Sequence, residues 1–486
     1  MHIKKNKYLL SLLALTGLFS LFLALMGAWQ AAGALLIVII CLLPSVWVAL
    51  RTSYLGLKIF CTTALITQVI TVPVFYLQAD RYPFGGHRPF GFTVMEALPT
   101  FLFLGLFLLL VAYLVKQSEW VVGEPVQWTD ANQRARGNAL SDGAASSQTI
   151  FVIGITLLIV VSLPVKFWMF DMGIGLVGAP PPQLPYRLSG ILFYMFNSII
   201  PLSIGYLYLK THRKSLVLAL IISAYAVVIG FTAVSKGVVL LTIAPIVAFA
   251  WLDRRWAILG VSGLLAMFGV MVATASREIV HISDGLTTGS FTDMGALGTL
   301  VEVMALLEWS PEILLIFVDI AGRVEGFRGL LLASQFNPDA VGGAWAIFAK
   351  SINGNWADLG HDAMHLEYLG YTIPSGFYGI AASLNAWMMM AANKYLLMVL
   401  PFVLYAALSL VILEKMLMRA AHKYRLPLPL AQAVLFFATM WFYTGPGTLE
   451  FRVLFTASII FGLLPALRLG HKSRPAHHRN GKAHHF

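Results

Sequence analysis

Residues 215–275 read SLVLALIISAYAVVIGFTAVSKGVVLLTIAPIVAFAWLDRRWAILGVSGLLAMFGVMVATA, and this stretch decides the fold. It holds three apolar runs, 215–234, 237–252 and 256–275, separated only by Ser235-Lys236 and by Asp253-Arg254-Arg255. An α-helix rises about 1.5 Å per residue, so roughly 20 apolar residues span about 30 Å of hydrocarbon. Runs of that length with two-to-three-residue polar tips are antiparallel membrane-spanning helices. Alternating segments of about ten residues, which an outer-membrane barrel requires, are absent.

Outward from this hairpin the same pattern repeats. Twelve spans are predicted: 8–28, 31–50, 56–77, 97–115, 149–170, 189–209, 215–234, 237–252, 256–275, 395–414, 427–444 and 451–468. Composition agrees, with 59% hydrophobic and 11% charged residues and a mean hydropathy of +0.80. A soluble domain carries about a quarter charged residues, so a water-soluble enzyme and a disordered chain are both excluded. The reading is an all-α polytopic membrane protein of about 12 transmembrane helices with one large external, partly helical loop. Residues 1–275 form the membrane bundle of the first nine spans, 276–394 the large loop with an interfacial or half-inserted helix, 395–468 the last three spans and 469–486 a basic tail. Met1 to Lys7 is basic, but no small-residue cleavage site follows Trp29, so the first run reads as a span rather than a leader.

The formal charge is +11, from 33 Lys and Arg against 22 Asp and Glu. Lys4, Lys5 and Lys7 orient the N-terminus to the cytoplasm. With the loops alternating from there, 22 basic and 6 acidic residues fall inside, and 11 basic and 16 acidic residues fall outside. Topology thus accounts for the basic excess, and a nucleic-acid partner is not needed. Cys41 and Cys61 both lie in apolar runs and offer neither a disulfide framework nor a thiolate metal site.

Two polar stretches interrupt the bundle. Residues 116–148 read as a flexible cytoplasmic loop. Residues 276–374 form an external segment too long for a connector. Within it Ser310-Pro311-Glu312 is a helix start leading through Asp319 and Arg323 toward Arg328. The apolar stretch 376–393 reads as a half-inserted or interfacial helix, because a full crossing would carry Lys415, Arg419, Lys423 and Arg425 outside. The His-rich tail after His471 reads as a solvated end beside anionic lipid, with metal binding the alternative.

The span middles contain no acid and no His, and Lys58, Lys166 and Lys236 sit near span ends where they can snorkel. That disfavours an ion-driven transporter. Phosphate-loop, zinc-protease and serine-elbow motifs are all missing. What remains is a set of external cations at the membrane surface: Arg81, His87, Arg88, Arg187, Lys236, Arg277, Arg323, Arg328 and Arg452. Guanidinium stays charged and forks onto phosphate, so a phosphate carried at headgroup depth suits them; pairing with nearby acids, as Arg452 with Glu450 and Arg277 with Glu278, is the alternative. Ser235-Lys236-Gly237 is either a polar hairpin tip or a lysine and amides offered to an anion. Gly360 to Glu367 sets His361 and His365 at i,i+4. They serve as structural residues, as a general base for a sugar hydroxyl, or as a metal pair lacking a fixed third ligand.

These features together resemble the O-antigen polymerase family, the Wzy-type polymerases of lipid-linked oligosaccharide repeat units, whose outline the O-antigen ligases share. The likeness lies in the span number, cytoplasmic ends and one large external loop before the last spans. Locally it rests on Pro185-Tyr186-Arg187-Leu188, Ser235-Lys236-Gly237, Arg323 and Arg328, and His361 through Pro374-Ser375-Gly376-Phe377-Tyr378-Gly379. Two departures are a loop of 12 acids against four cations, and the presence of two His. The resemblance implies metal-independent, cofactor-free, inverting glycosyl transfer from undecaprenyl diphosphate on the outer face of a bacterial inner membrane. Arg187, Lys236, Arg277, Arg323 and Arg328 would bind the pyrophosphate, Arg323 also counting as catalytic, and His361 or His365 would take the acceptor proton. A chain-length regulator and a flippase are partners by the same resemblance. A ligase and a polytopic lipid or solute transporter are the alternatives.

Overall fold

The computed structural model describes residues 14, 16–77, 94–122, 145–174, 184–185, 188–211, 215–286, 291–306, 330, 333–334, 337–353, 384–423 and 426–444. No strand occurs among them. Eight of their helices are long and apolar enough to cross a membrane, and Thr16–Leu25, Lys236–Leu252 and Leu428–Met440 are shorter apolar helices. The run 451–468 lies outside the described residues.

In chain order the helices are α1 (Thr16–Leu25), α2 (Trp29–Arg51), α3 (Leu55–Leu77), α4 (Val94–Val122) and α5 (Ala145–Asp171). Next come α6 (Leu188–Lys210), α7 (Leu216–Ala233), α8 (Lys236–Leu252), α9 (Trp256–Leu286) and α10 (Phe291–Leu306). The last are α11 (Ala344–Asn353), α12 (Leu384–Ala392), α13 (Val399–Lys423) and α14 (Leu428–Thr444). Several outrun the apolar runs that predict them: α4 continues to Val122, α9 to Leu286 and α13 to Lys423.

Two cores organise the bundle. The first gathers α2, α3, α4, α12 and α13 around Val38, Leu57, Phe101, Leu108, Trp387 and Phe402. Pieces of the large loop, Leu330, Ala333 and Ile347, are buried in the same core. The second is formed by α5 to α9, with Ile155, Tyr208, Ile222, Ile229 and Ile246 at its centre. Helix α14 joins them, placing Ala438 in the first and Leu430 and Phe437 in the second. Small residues set the closest approaches. A Cβ on Gly105 would stand 2.5 Å from the Cys41 carbonyl oxygen, and one on Gly205 2.8 Å from Pro245 Cγ. Large apolar residues such as Leu25, Ile40, Val160, Val217, Leu264 and Leu397 face outward, as side chains solvated by lipid do.

Every one of the nine described residues of helix α12 is buried. At the turn after α8, Trp251 meets Trp256 edge-on at 6.1 Å, an aromatic pair of the kind found in an interfacial belt. Elsewhere Arg51 lies 3.5 Å over the Trp47 ring.

Candidate functional site

The hairpin between α7 and α8 turns on Val234, whose φ of 53° lies in the left-handed region. A glycine usually takes this place at a helix C-terminus; a β-branched residue there is strained. Val234 N–H is satisfied by Phe231 O at 3.1 Å and Ser235 N–H by Gly230 O at 3.1 Å. Surrounding packing holds the strain in place, because Val234 is buried with Phe231, Phe170, Val272, Ala275, Ala296 and Val303. Close packing of Gly230 on Val239 fixes the hairpin from the other side: a Cβ would come within 2.1 Å of Val239 Cγ2. Lys236 opens α8 directly after this turn, and its ammonium nitrogen is screened from solvent. Ser235 makes no side-chain capping bond to the first turn of α8.

The neighbouring wall is α5. Its Ser162, Lys166 and Phe170 fall one turn apart on one face. Ser162 Oγ meets the Tyr225 hydroxyl of α7 at 2.8 Å. Phe170 stacks on Phe231 with centroids 5.3 Å apart. Between them Lys166 is 1% exposed, and its Nζ donates to Asn197 Oδ1 of α6. At the end of α5, Asp171 Oδ1 accepts the Ala296 N–H at 3.0 Å. This caps the part of α10 that follows the break at Gly295, where φ is 59°.

Asn197 sits in a π-helical turn, Met195–Ile199, closed by Ile200 N–H to Met195 O. The cause is Pro201, which lacks the N–H that the Asn197 carbonyl would accept four residues back. The helix widens to five-residue spacing instead, and such π-turns cluster at functional sites.

Lys166 is therefore not a snorkelling residue: it points into the bundle. Nor are the spans free of acids. Glu414, which the apolar run places at a span end, is an interior residue of the longer α13 and is 0% exposed. Both groups were missed because a lone charge near the end of an apolar run reads as interfacial. Pro201, four residues after Asn197, was the available signal for the π-turn.

Of the sequence-predicted site residues, Lys236 is described in full. Arg277 lies on the backbone of α9. Arg187, Arg323, Arg328, His361 and His365 lie outside the described residues, as does the helix expected after Ser310. Among the described residues no group of three or more His, Cys, Asp or Glu is arranged to hold a metal. No protein-family model matches the chain, and neither a curated protein nor a solved structure matches it.

Proposed function

We propose that this chain polymerises undecaprenyl-diphosphate-linked oligosaccharide repeat units into a surface polysaccharide by metal-independent, inverting glycosyl transfer. In this reading it is a bacterial inner-membrane protein of twelve spans with cytoplasmic termini, and the segment 276–374 faces outward. The observation that carries the reading is the Lys236 turn: a solvent-screened ammonium, a strained left-handed residue before it, and a helix first turn without a side-chain cap. A lysine beside first-turn amides suits a phosphate oxygen. Departure of a lipid diphosphate develops negative charge, which fixed cations stabilise without a metal. Arg187, Arg277, Arg323 and Arg328 would complete the set, with His361 or His365 as base. A ligase passing the finished glycan to a lipid or protein acceptor would share this donor and chemistry.

A transporter is the second reading, and Lys166 and Glu414 favour it, since ionisable groups buried within spans mark transport pathways. A gel ladder of surface and lipid-linked glycan from a deletion strain of the native host separates the three. Single repeats transferred without long chains mean polymerase. Long chains retained on the lipid carrier mean ligase. An unchanged ladder removes glycosyl transfer and leaves the transporter.

A further inference from the structure

Lys166 is a buried lysine with an amide for a partner and no acid. It is 1% exposed, it donates to Asn197 Oδ1, and among the described residues no carboxylate lies within ion-pair distance of its Nζ. The nearby Asp171 is directed instead to the Ala296 N–H. An amide dipole satisfies one N–H but supplies no counter-charge, and an ionisable group in an apolar layer is kept where a ligand or function uses it.

The surroundings are those of a binding position rather than of a chance burial. Ser162 and Phe170, one turn to either side, are each tied to α7 through Tyr225 and Phe231. The α5–α7 seam is thus fixed above and below Lys166. Across from it stands the one π-turn among the described helices, buried at Phe196, Asn197 and Ser198. The depth is also suitable. Lys166 precedes Asp171, the last residue of α5, by five residues, about 7.5 Å along the axis.

We infer that Lys166 and Asn197 form a binding site for the phosphate headgroup of a long-chain lipid, with Lys166 supplying the counter-charge and Asn197 holding the ammonium until the anion arrives. The phosphate chemistry follows from a buried lysine that no described carboxylate faces; the choice of a polyprenyl lipid rests on the proposed function.

The test is equilibrium binding of radiolabelled polyprenyl phosphate to the full-length protein in phosphatidylcholine nanodiscs, with inorganic phosphate as competitor. Wild type is expected to bind, and Lys166→Met to bind at least tenfold more weakly while melting at the same or a higher temperature, since an apolar side chain removes a buried charge. Lys166→Arg is expected to stay within about threefold of wild type, because the charge is kept. Displacement by millimolar inorganic phosphate, still dependent on Lys166, keeps the anion site and reassigns it to free phosphate. Wild-type affinity in Lys166→Met overturns the proposal. Should that variant not fold, Asn197→Asp decides: an internal carboxylate takes the anion's place, so binding is lost, whereas unchanged binding overturns the proposal. An unchanged glycan ladder with Lys166-dependent lipid binding sinks only the polymerase.

Discussion

The carboxylate of Glu414 on α13 accepts the N–H of Gly56, the second residue of α3, at 2.8 Å. It also accepts the Leu55 N–H at 2.9 Å. A Cβ at position 56 would lie 3.3 Å from its Oε2 and 3.4 Å from Thr439 Oγ1. One buried anion therefore caps a helix start from far along the chain. On the same turn, Glu119 of α4 accepts Ser53 N–H at 2.5 Å and Ser53 Oγ at 2.6 Å.

Removing this cap is expected to loosen the first core. Glu414→Ala leaves the buried Gly56 N–H without its acceptor, at about 1–3 kcal/mol, and the part-buried Leu55 N–H without its own at less. Glu414→Gln keeps one acceptor oxygen and loses about 1 kcal/mol. Gly56→Ala pushes the carboxylate back and costs about 1–3 kcal/mol. Detergent-unfolding midpoints rank the three; equal stability of Glu414→Ala and wild type would show that the cap contributes nothing.

Gly105→Ala is expected to part α2 from α4, since the new methyl would meet the Cys41 carbonyl oxygen at 2.5 Å. The cost is about 1–3 kcal/mol. Gly33→Ala is the control, with nothing within 4 Å of its Cβ position. It is expected to be neutral, or to stabilise by up to about 1 kcal/mol through helix propensity. Paired unfolding curves check the contrast.

Asp171→Ala takes away the acceptor for the Ala296 N–H and is expected to cost about 1 kcal/mol locally. Hydrogen exchange reads it directly. Amides at the start of the second half of α10 should exchange faster in Asp171→Ala and near wild type in Asp171→Asn, which keeps an acceptor oxygen.

For the proposed activity, Arg323→Lys and Arg328→Lys keep charge but lose the bidentate fork, and Lys236→Met loses charge outright. Each is expected to shorten the glycan ladder strongly, by tenfold or more in long chains. Normal ladders from both Arg→Lys variants would remove those residues from the site. A transporter's gate would tolerate the two Arg→Lys changes.

Particular residues show where sequence reading succeeds. Ser235-Lys236 stands between two uninterrupted apolar runs, so the α7–α8 turn was legible. That Val234 makes it was not, because a β-branched residue disfavours the left-handed region and only packing against Phe170 and Val272 keeps it there. Asn197 looked like any polar residue in a span until Pro201 displaced the hydrogen-bond register.

The sequence alone determined that the chain is helical and membrane-embedded, where most helices lie, and which loops are long. Those properties depend on local length and polarity: a run of apolar residues must satisfy its own backbone in lipid whatever its neighbours are. Only the tertiary structure decided that α14 joins two cores, that Glu414 caps α3 from 358 residues away, and that Lys166 points at Asn197 rather than at the surface. These depend on which helix faces which, and a charge at a helix face is buried or exposed by its partner, not by its own sequence context.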